Sequence, residues 1–393
     1  MTKRIAILGA TGSIGRSAID VVEHLGPPYR VVAISGHSQC EEVIALARRL
    51  RPARVAVTAE CDRAGVEGRL HHLGCETLFG QTALAEIAGA SDVDVVLNAV
   101  VGAAGLPASV AAVETGKTLL LANKESLVIA GGVLMPLAAR TGATILPIDS
   151  EHSAVFQAMA CGRRDEISRV ILTASGGPFR TSTKQQMDAA TPAQALRHPT
   201  WDMGARITVD SATMFNKAAE IVEAAWLFDL RPGQIEVVVH KESVVHSMVE
   251  FVDGSVIAQL CPPDMRTPIQ FALTWPLRKP GCTRALDFTT AQTLSFEPPD
   301  RGKFAALNVA DEVVARRGTL GAVMNAANEV AVAAFLAGRV PLGVIYEVVR
   351  RTIAAHAMTA EPSLAELLAA DAWARHAAAA VLEERLAASP ARQ

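Results

Sequence analysis

The first 36 residues constrain this chain more than any other stretch. Lys3-Arg4-Ile5-Ala6-Ile7-Leu8 is a short apolar strand, and Gly9-Ala10-Thr11-Gly12-Ser13-Ile14-Gly15 follows it. An amphipathic helix then runs to about Leu25, and Arg30 to Gly36 is a second strand. Strand, glycine turn, helix and strand in that order are the context a dinucleotide fingerprint requires. The glycines let the backbone approach a pyrophosphate, and the helix N-terminus supplies donors and a positive dipole end. The spacing here is G-x-x-G-x-x-G rather than the commoner G-x-G-x-x-G. At the end of the second strand, NAD-binding proteins usually carry an acid for the ribose hydroxyls. This chain has Gly36-His37-Ser38-Gln39 and no acid before Glu41, which favours a 2′-phosphate and therefore NADPH. The bland alternatives are a surface histidine at 37 and a helix cap at Ser38 for a helix beginning near Glu41.

Strands and helices alternate to about residue 148, which implies a parallel sheet covered on both faces. Val93 to Ala99 is one such strand and Thr118 to Ala122 another, with Asn123-Lys124-Glu125-Ser126 just past it, where open sheets place ligands. Val95 to Val113 carries no charge, but Asn98, Gly102, Gly105, Pro107 and Ser109 make it strand, loop and helix rather than a membrane span. From 149 to 280 the pattern is α+β. Glu236 to His240, Val244 to Phe251 and Ser255 to Leu260 alternate as in an antiparallel sheet, with Asp253-Gly254 as a turn. A polar stretch at about 175–204, rich in Gly and Pro, is too long to be a passive connection. Residues 281–305 read as a linker and 306–388 as an Ala-rich helical bundle. The closing Ala-Ser-Pro-Ala-Arg-Gln is expected to fray.

Two further stretches carry chemistry. In Ile145-Leu146-Pro147-Ile148-Asp149-Ser150-Glu151-His152 the acids end a buried strand, and an extended chain would point Asp149 and Glu151 the same way. In Asp210-Ser211-Ala212-Thr213-Met214-Phe215-Asn216-Lys217-Ala218-Ala219-Glu220, Asp210 or Ser211 is a candidate N-cap, and Asn216, Lys217 and Glu220 share a helical face. Three carboxylates on one cation suit Mg²⁺ or Mn²⁺ rather than zinc. Taken singly, acid-x-acid pairs usually lie on solvated loops, and a Lys three residues before a Glu is usually a surface ion pair.

At this point the chain resembles the 1-deoxy-D-xylulose 5-phosphate reductoisomerase family over nearly its whole length. The resemblance rests on GATGSIG at 9–15, VGAAGL at 101–106, LLANKESLV at 120–128, LPIDSEHSA at 146–154 and SGGPFR at 175–180. RHPTW at 197–201, VDSATMFNKAAE at 209–220, PPDMRTPI at 262–269 and MNAANEVAVAAFL at 324–336 complete it. It implies an α/β protein with an N-terminal Rossmann-like NADPH-binding domain over 1–148. A catalytic α+β domain over 149–280 with a lid at about 175–204 would follow, then the linker and the C-terminal α-helical bundle. It also implies conversion of a ketose phosphate to 2-C-methyl-D-erythritol 4-phosphate, the committed step of the non-mevalonate isoprenoid pathway. Asp149, Glu151 and Glu220 match the metal ligands; Ser175, Ser211, Asn216 and Lys217 match a phosphate pocket. Lys124, Ser150 and His198 match substrate contacts, Trp201 and Met203 a lid, and Thr11 to Ile14, Gly36 to Ser38, Asn123, Glu125 and Gly204 cofactor contacts. Three positions depart from the family's usual pattern: His37-Ser38 replaces a basic residue and Asn, and Leu273 stands where the lid region often has Met.

The remaining features set bounds. Six scattered cysteines without metal or redox spacing read as reduced thiols of a cytoplasmic protein. The apolar start breaks at Gly9, unlike a signal peptide. A net charge of −3 gives no sign of a nucleic-acid partner. A homodimer is expected from the family. A semialdehyde-type dehydrogenase would need a nucleophilic Cys with a nearby His, and a non-catalytic nucleotide sensor should have lost a metal or phosphate donor.

Overall fold

The opening pattern folds as its periodicity dictates. In the computed structural model of the chain, which describes residues 2–201 and 203–388, β1 (Lys3–Leu8) passes through the glycine turn into α1 (Ser13–Leu25) and β2 (Tyr29–Gly36). The alternation continues through α2 (Cys40–Leu50), β3 (Arg54–Val57), α3 (Arg63–His71), β4 (Glu76–Phe79) and α4 (Thr82–Gly89). Then come β5 (Val95–Asn98), α5 (Leu106–Glu114), β6 (Thr118–Leu121), α6 (Glu125–Thr141) and β7 (Thr144–Pro147). The seven strands make one parallel sheet in the order β4-β3-β2-β1-β5-β6-β7. Ile5 to Leu8 are fully buried, which is why β1 reads as an unbroken apolar run rather than an alternation. Strand order reverses between β1 and β5, and such a switch point is where open sheets bind ligands, at the strands' carboxyl ends. The uncharged run from Val95 resolves into β5, a single 3₁₀ turn at Ala103–Gly105 and α5. No helix among the described residues is long and apolar enough to cross a membrane.

The chain divides into two compact units. One runs through Ser126 and adds Leu134–Ser153 and Asp264–Leu286, so it contains the seven-stranded sheet and α12 (Arg266–Thr274). Leu273 is buried in α12, where its carbonyl accepts from Lys3 Nζ at 3.2 Å, so this departure from the family is a choice of core side chain. The other unit takes Leu127–Val133, Ala154–Pro263 and the described residues from Asp287 onward.

In the second unit, α7 (Ser150–Met159, which begins in the first) leads to β8 (Ile167–Ala174), α8 (Lys184–Asp188), α9 (Pro192–Ala195) and α10 (Ala205–Thr213). α11 (Phe215–Leu227), β9 (Ile235–Val239), β10 (Val245–Phe251) and β11 (Val256–Leu260) follow. The sheet order is β11-β10-β8-β9. Of the three strands expected to be antiparallel, β10 and β11 are so paired, and β10 also lies antiparallel to β8. β9 returns after the α10–α11 crossover and lies parallel to β8, as a helical crossover permits and a hairpin does not. The long polar stretch after β8 is not bare loop, since it holds α8 and α9. Beyond an isolated bridge between Val239 and Glu297, residues 277–305 form no regular element. The C-terminal helices α13 (Ala306–Arg316), α14 (Leu320–Leu336), α15 (Val344–Ala355) and α16 (Leu364–Ala388) pack through small residues. A Cβ at Gly321 would fall 2.0 Å from the Val128 carbonyl oxygen. Of the closing stretch expected to fray, Ala388 ends α16, and residues 389–393 fall outside the described part.

Candidate active site

Within the first unit the glycine turn is shaped by contact. Gly9 has φ +82°, and a Cβ there would meet the Ala99 carbonyl oxygen at 2.7 Å, so β1 can run this close to β5 only with glycine. A Cβ at Gly15 would strike the Gly9 oxygen at 2.3 Å. The turn is tied to β2 by Gly9 N donating to Ser35 Oγ (3.0 Å) and Ala10 N to Ser35 O (2.7 Å). Helix α1 starts at Ser13 with Gly12 as N-cap and no side-chain cap, which leaves its first N–H groups for an anion. Thr11 is buried, Gly12 and Ser13 are exposed and Ile14 is half-buried. Gly36 packs on Val43, His37 Nδ1 lies 2.8 Å from Thr58 Oγ1, and Ser38 is exposed. Ser38 does not cap α2, whose N-cap is Gln39.

Asn123 and Glu125, past β6, brace the loop beyond β5. Asn123 Nδ2 donates to Val100 O (2.7 Å) and Gly102 O (2.9 Å), and Glu125 Oε1 accepts from Gly102 N (3.0 Å). Buried Lys124 is ion-paired with Asp149. Burial alone would raise the Asp149 carboxyl, but the Lys124 cation and the His152 contact hold it well below the usual carboxylate range.

The expected alternation of Asp149 and Glu151 on an extended chain is incorrect. The strand stops at Pro147 and α7 starts at Ser150, so Glu151 lies in a first helical turn. The Asp149 carbonyl accepts from Ser153 N (2.8 Å), and its Oδ1 accepts from Glu151 N (3.4 Å). The sequence Asp-Ser-Glu is thus a helix start, with acids favoured by the dipole. Ser150 Oγ donates to Glu151 Oε2 at 2.6 Å. His152, to which the sequence reading gave no role, is fully buried with Nδ1 3.8 Å from Asp149 Oδ1.

The second unit holds the candidate residues from Ser175 to Glu220. Asp210 and Ser211 are not N-caps, because they sit in the last turns of α10. The break comes at Met214, whose φ of +63° is left-handed, and α11 begins at Phe215 without a side-chain cap. Asn216, Lys217 and Glu220 share a face as expected. Asn216 Nδ2 donates to Glu220 Oε1 (2.5 Å), and Lys217 pairs with Glu220 Oε2. Lys217 and Glu220 are only 4% and 1% exposed.

Ser175 follows β8 on a turn whose Gly176 and Gly177 have φ of +84° and +62°. A Cβ at Gly177 would lie 2.9 Å from the Ser211 carbonyl oxygen, so the glycines let the Ser175 turn rest on α10. His198 Nδ1 accepts from Trp201 N (2.9 Å) and Thr200 N (3.2 Å), which assigns the proton to Nε2, donated to Ser175 Oγ at 3.0 Å. Burial pushes the His198 imidazole below its ordinary value, which keeps it neutral. The Trp201 ring is half-buried and tilts against His246, with ring centres 6.5 Å apart; Met203 is half-buried, and exposed Gly204 is the N-cap of α10. Sequence reasoning missed Lys303, whose buried ammonium donates to the carbonyls of Phe179 (3.2 Å), Arg180 (2.8 Å) and Ser182 (3.0 Å). A lone Lys in a polar linker gives no signal of this.

Residues 5–131 match the 1-deoxy-D-xylulose 5-phosphate reductoisomerase family, and 145–228 and 260–377 match its C-terminal domains. A protein of that name from Pseudomonas aeruginosa (strain UCBPP-PA14) is 48% identical over 96% of this chain and 97% of its own length. The chain belongs to the 1-deoxy-D-xylulose 5-phosphate reductoisomerase family of enzymes. Another relative of that name, from Pelotomaculum thermopropionicum, is 45% identical over 97% of this chain and 99% of its own. Among solved structures, the reductoisomerase from Zymomonas mobilis in complex with NADPH superposes with a TM-score of 0.90 at 41% identity, over 98% of this chain and all of that one. A DOX-P reductoisomerase in complex with NADPH, fosmidomycin and magnesium gives 0.91 at 41% identity, over 97% and 98%.

Proposed function

We propose that this protein carries out the NADPH- and divalent-metal-dependent rearrangement and reduction of 1-deoxy-D-xylulose 5-phosphate to 2-C-methyl-D-erythritol 4-phosphate, in the non-mevalonate isoprenoid pathway. The observation that carries this reading is the seating of the Ser175 turn on Ser211, beside the uncapped start of α11 with Asn216 and Lys217. Hydroxyls, an amide, an ammonium and a helix N-terminus form a donor set for a sugar phosphate. The domain roles read from the sequence go with it: cofactor binding over 1–148, catalysis over 149–280 with the 175–204 segment as lid, the linker, and helical support over 306–388. We further propose a cytoplasmic homodimer.

Asp149, Glu151 and Glu220 would hold the cation. The donor set fits Mg²⁺ or Mn²⁺: all three are hard carboxylate oxygens, Asp149 is held ionised by Lys124, and Glu220 is buried in an ion pair. A bound cation would polarise the substrate carbonyl and fix its hydroxyl oxygens. NADPH would supply the hydride, with its pyrophosphate against Thr11 to Ile14 and further contacts from Gly36 to Ser38, Asn123, Glu125 and Gly204. Ser150 and Lys124 would orient the carbon chain. Neutral His198 would present its Nε2 proton through Ser175 towards the phosphate, and Trp201 with Met203 would cover the substrate and exclude water.

The test is metal-dependent NADPH oxidation with the ketose phosphate. Asp149→Asn, Glu151→Gln and Glu220→Gln should each lower kcat by at least a hundredfold, with NADPH affinity by fluorescence titration kept within threefold. Wild-type turnover in any one of them at saturating Mg²⁺ removes that residue from the site.

A further inference from the structure

Helix α6 breaks within Leu127–Val133, its stretch in the second unit: Ala130 has a non-helical φ of −130° and ψ of 24°, and two glycines follow. A Cβ at Gly131 would lie 2.3 Å from Trp226 Cγ and one at Gly132 3.1 Å from its Cη2, so the pair seats the indole of α11 against this helix. Over the same ring stands Arg317, its guanidinium carbon 4.5 Å from the ring centre. Arg317 follows α13 with φ +55° and ψ −133°, a conformation that suits glycine. A charged side chain kept on a strained backbone points to a use for that side chain. These residues border a cleft of about 510 Å³, within the ~300–1,000 Å³ typical of small-molecule sites. All its lining residues belong to the second unit, and none is a candidate of the active site. The walls are mainly apolar, with Val128, Val222, Val313, Val314 and Leu367. Arg316 is occupied by Glu312 at 2.7 Å, and Glu361 is exposed, where water screens it. Among the described residues, neither the Arg317 guanidinium nor the Trp226 indole N–H meets an acceptor.

We infer that this cleft binds a small amphipathic anion, a flat apolar body carrying one acidic group. The apolar walls supply affinity by removing that body from water. The acid is placed by Arg317. A guanidinium stacked on an aromatic face keeps its N–H donors in its own plane, where they can take a carboxylate bidentately. Holding Arg317 over Trp226 before the ligand arrives spares part of the ordering cost of binding. A carboxylate only accepts hydrogen bonds, and the two unmet side-chain groups here only donate. A cation would be repelled by Arg317, and a neutral body of the same shape gains the walls alone. The inference does not depend on the proposed reaction, since the cleft uses none of the residues assigned to it.

The test titrates 1-naphthylacetate and its uncharged amide into the full-length protein by isothermal calorimetry, without metal or NADPH. One molecule of the acid should bind per chain, at least tenfold more tightly than the amide. Arg317→Gly suits the backbone, and Arg317→Gln keeps most of the side chain. Each should weaken the acid at least tenfold and leave the amide within threefold. Ala360→Trp, at an exposed lining position, should abolish both by filling the cleft. Circular dichroism checks the fold of each variant, and either Arg317 variant alone decides. Equal affinity for acid and amide overturns the anion preference, and so does an unchanged acid affinity in a folded Arg317 variant. Binding that persists in Ala360→Trp, or no saturable binding of the acid at millimolar concentration, overturns the site.

Discussion

Replacing Lys303 by Met should loosen the segment between β8 and α10 without touching any group proposed to meet substrate. Met keeps the length and apolar stem of the side chain and removes the ammonium. In the wild type that ammonium serves the carbonyls of Phe179, Arg180 and Ser182. Phe179 O retains Ser182 N at 3.1 Å, so the larger loss falls on Arg180 and Ser182. A hydrogen bond from a charged donor contributes about 1.5–3 kcal/mol. That range is already net of desolvation, and the one ammonium shared among these carbonyls is counted as a single such bond. The net effect should be about 2–3 kcal/mol on local opening, or about a 30- to 160-fold rise in proteolysis of residues 175–204 where opening is rapid. Chymotrypsin digestion of the unliganded protein measures this, with Lys184→Met, an exposed lysine on α8, as control. KM for the sugar phosphate should rise while NADPH affinity stays unchanged. Cleavage within threefold of wild type would refute the anchoring role of Lys303.

Three further outcomes are expected. NADPH should be preferred over NADH, and Ser38→Asp should weaken NADPH by repelling its 2′-phosphate; equal kcat/KM for the two cofactors in the unmodified protein would show the argument from the missing acid to be wrong. Glu329 is half-buried between Arg206 and Arg375, and although burial alone would raise it, those cations hold it below its ordinary value of 4.5. A depressed folded value stabilises fully above the unfolded one and is lost as pH falls through the folded one. Glu329→Gln should therefore cost about 1–3 kcal/mol at pH 7 by denaturant titration, and the gap from wild type should narrow below pH 4.5; a gap that widens there contradicts the assignment. His198 should titrate below 6.5 by NMR, with the proton on Nε2 when neutral; a midpoint at or above 6.5 would show the imidazole to be more solvated than its burial implies.

What was legible in the sequence was local. β1, the glycine turn, α1 and β2 were set within 36 residues by apolar runs and glycine spacing, and β1 and α1 end where the pattern ends. Asp149, Glu151 and Ser211 were readable as residues but not as geometry, whereas the shared helical face of Asn216, Lys217 and Glu220 was readable as both. Period-two reasoning was carried past Pro147 into a segment whose acids mark a helix start, and nothing announces a break at Met214, since a left-handed methionine is held by its surroundings rather than by its own preference. β8 went unnamed although Ile167–Ala174 is largely apolar, because its partners β9 and β10 come more than 60 residues later. His152 and Lys303 act only through contacts made in the folded state.

A buried carboxylate without a partner is costly, and three gathered for a cation would repel one another before it arrives. Here Asp149 is neutralised by Lys124 inside the first unit, and Glu220 by Lys217 inside the second. Each unit therefore carries its own counter-charge, unlike a small zinc domain that folds only around its ion. The same two lysines are the ones proposed to meet substrate. Their charge thus has two successive uses in this reading: it balances the acids while the protein folds, and it contacts the sugar phosphate once those acids hold a cation.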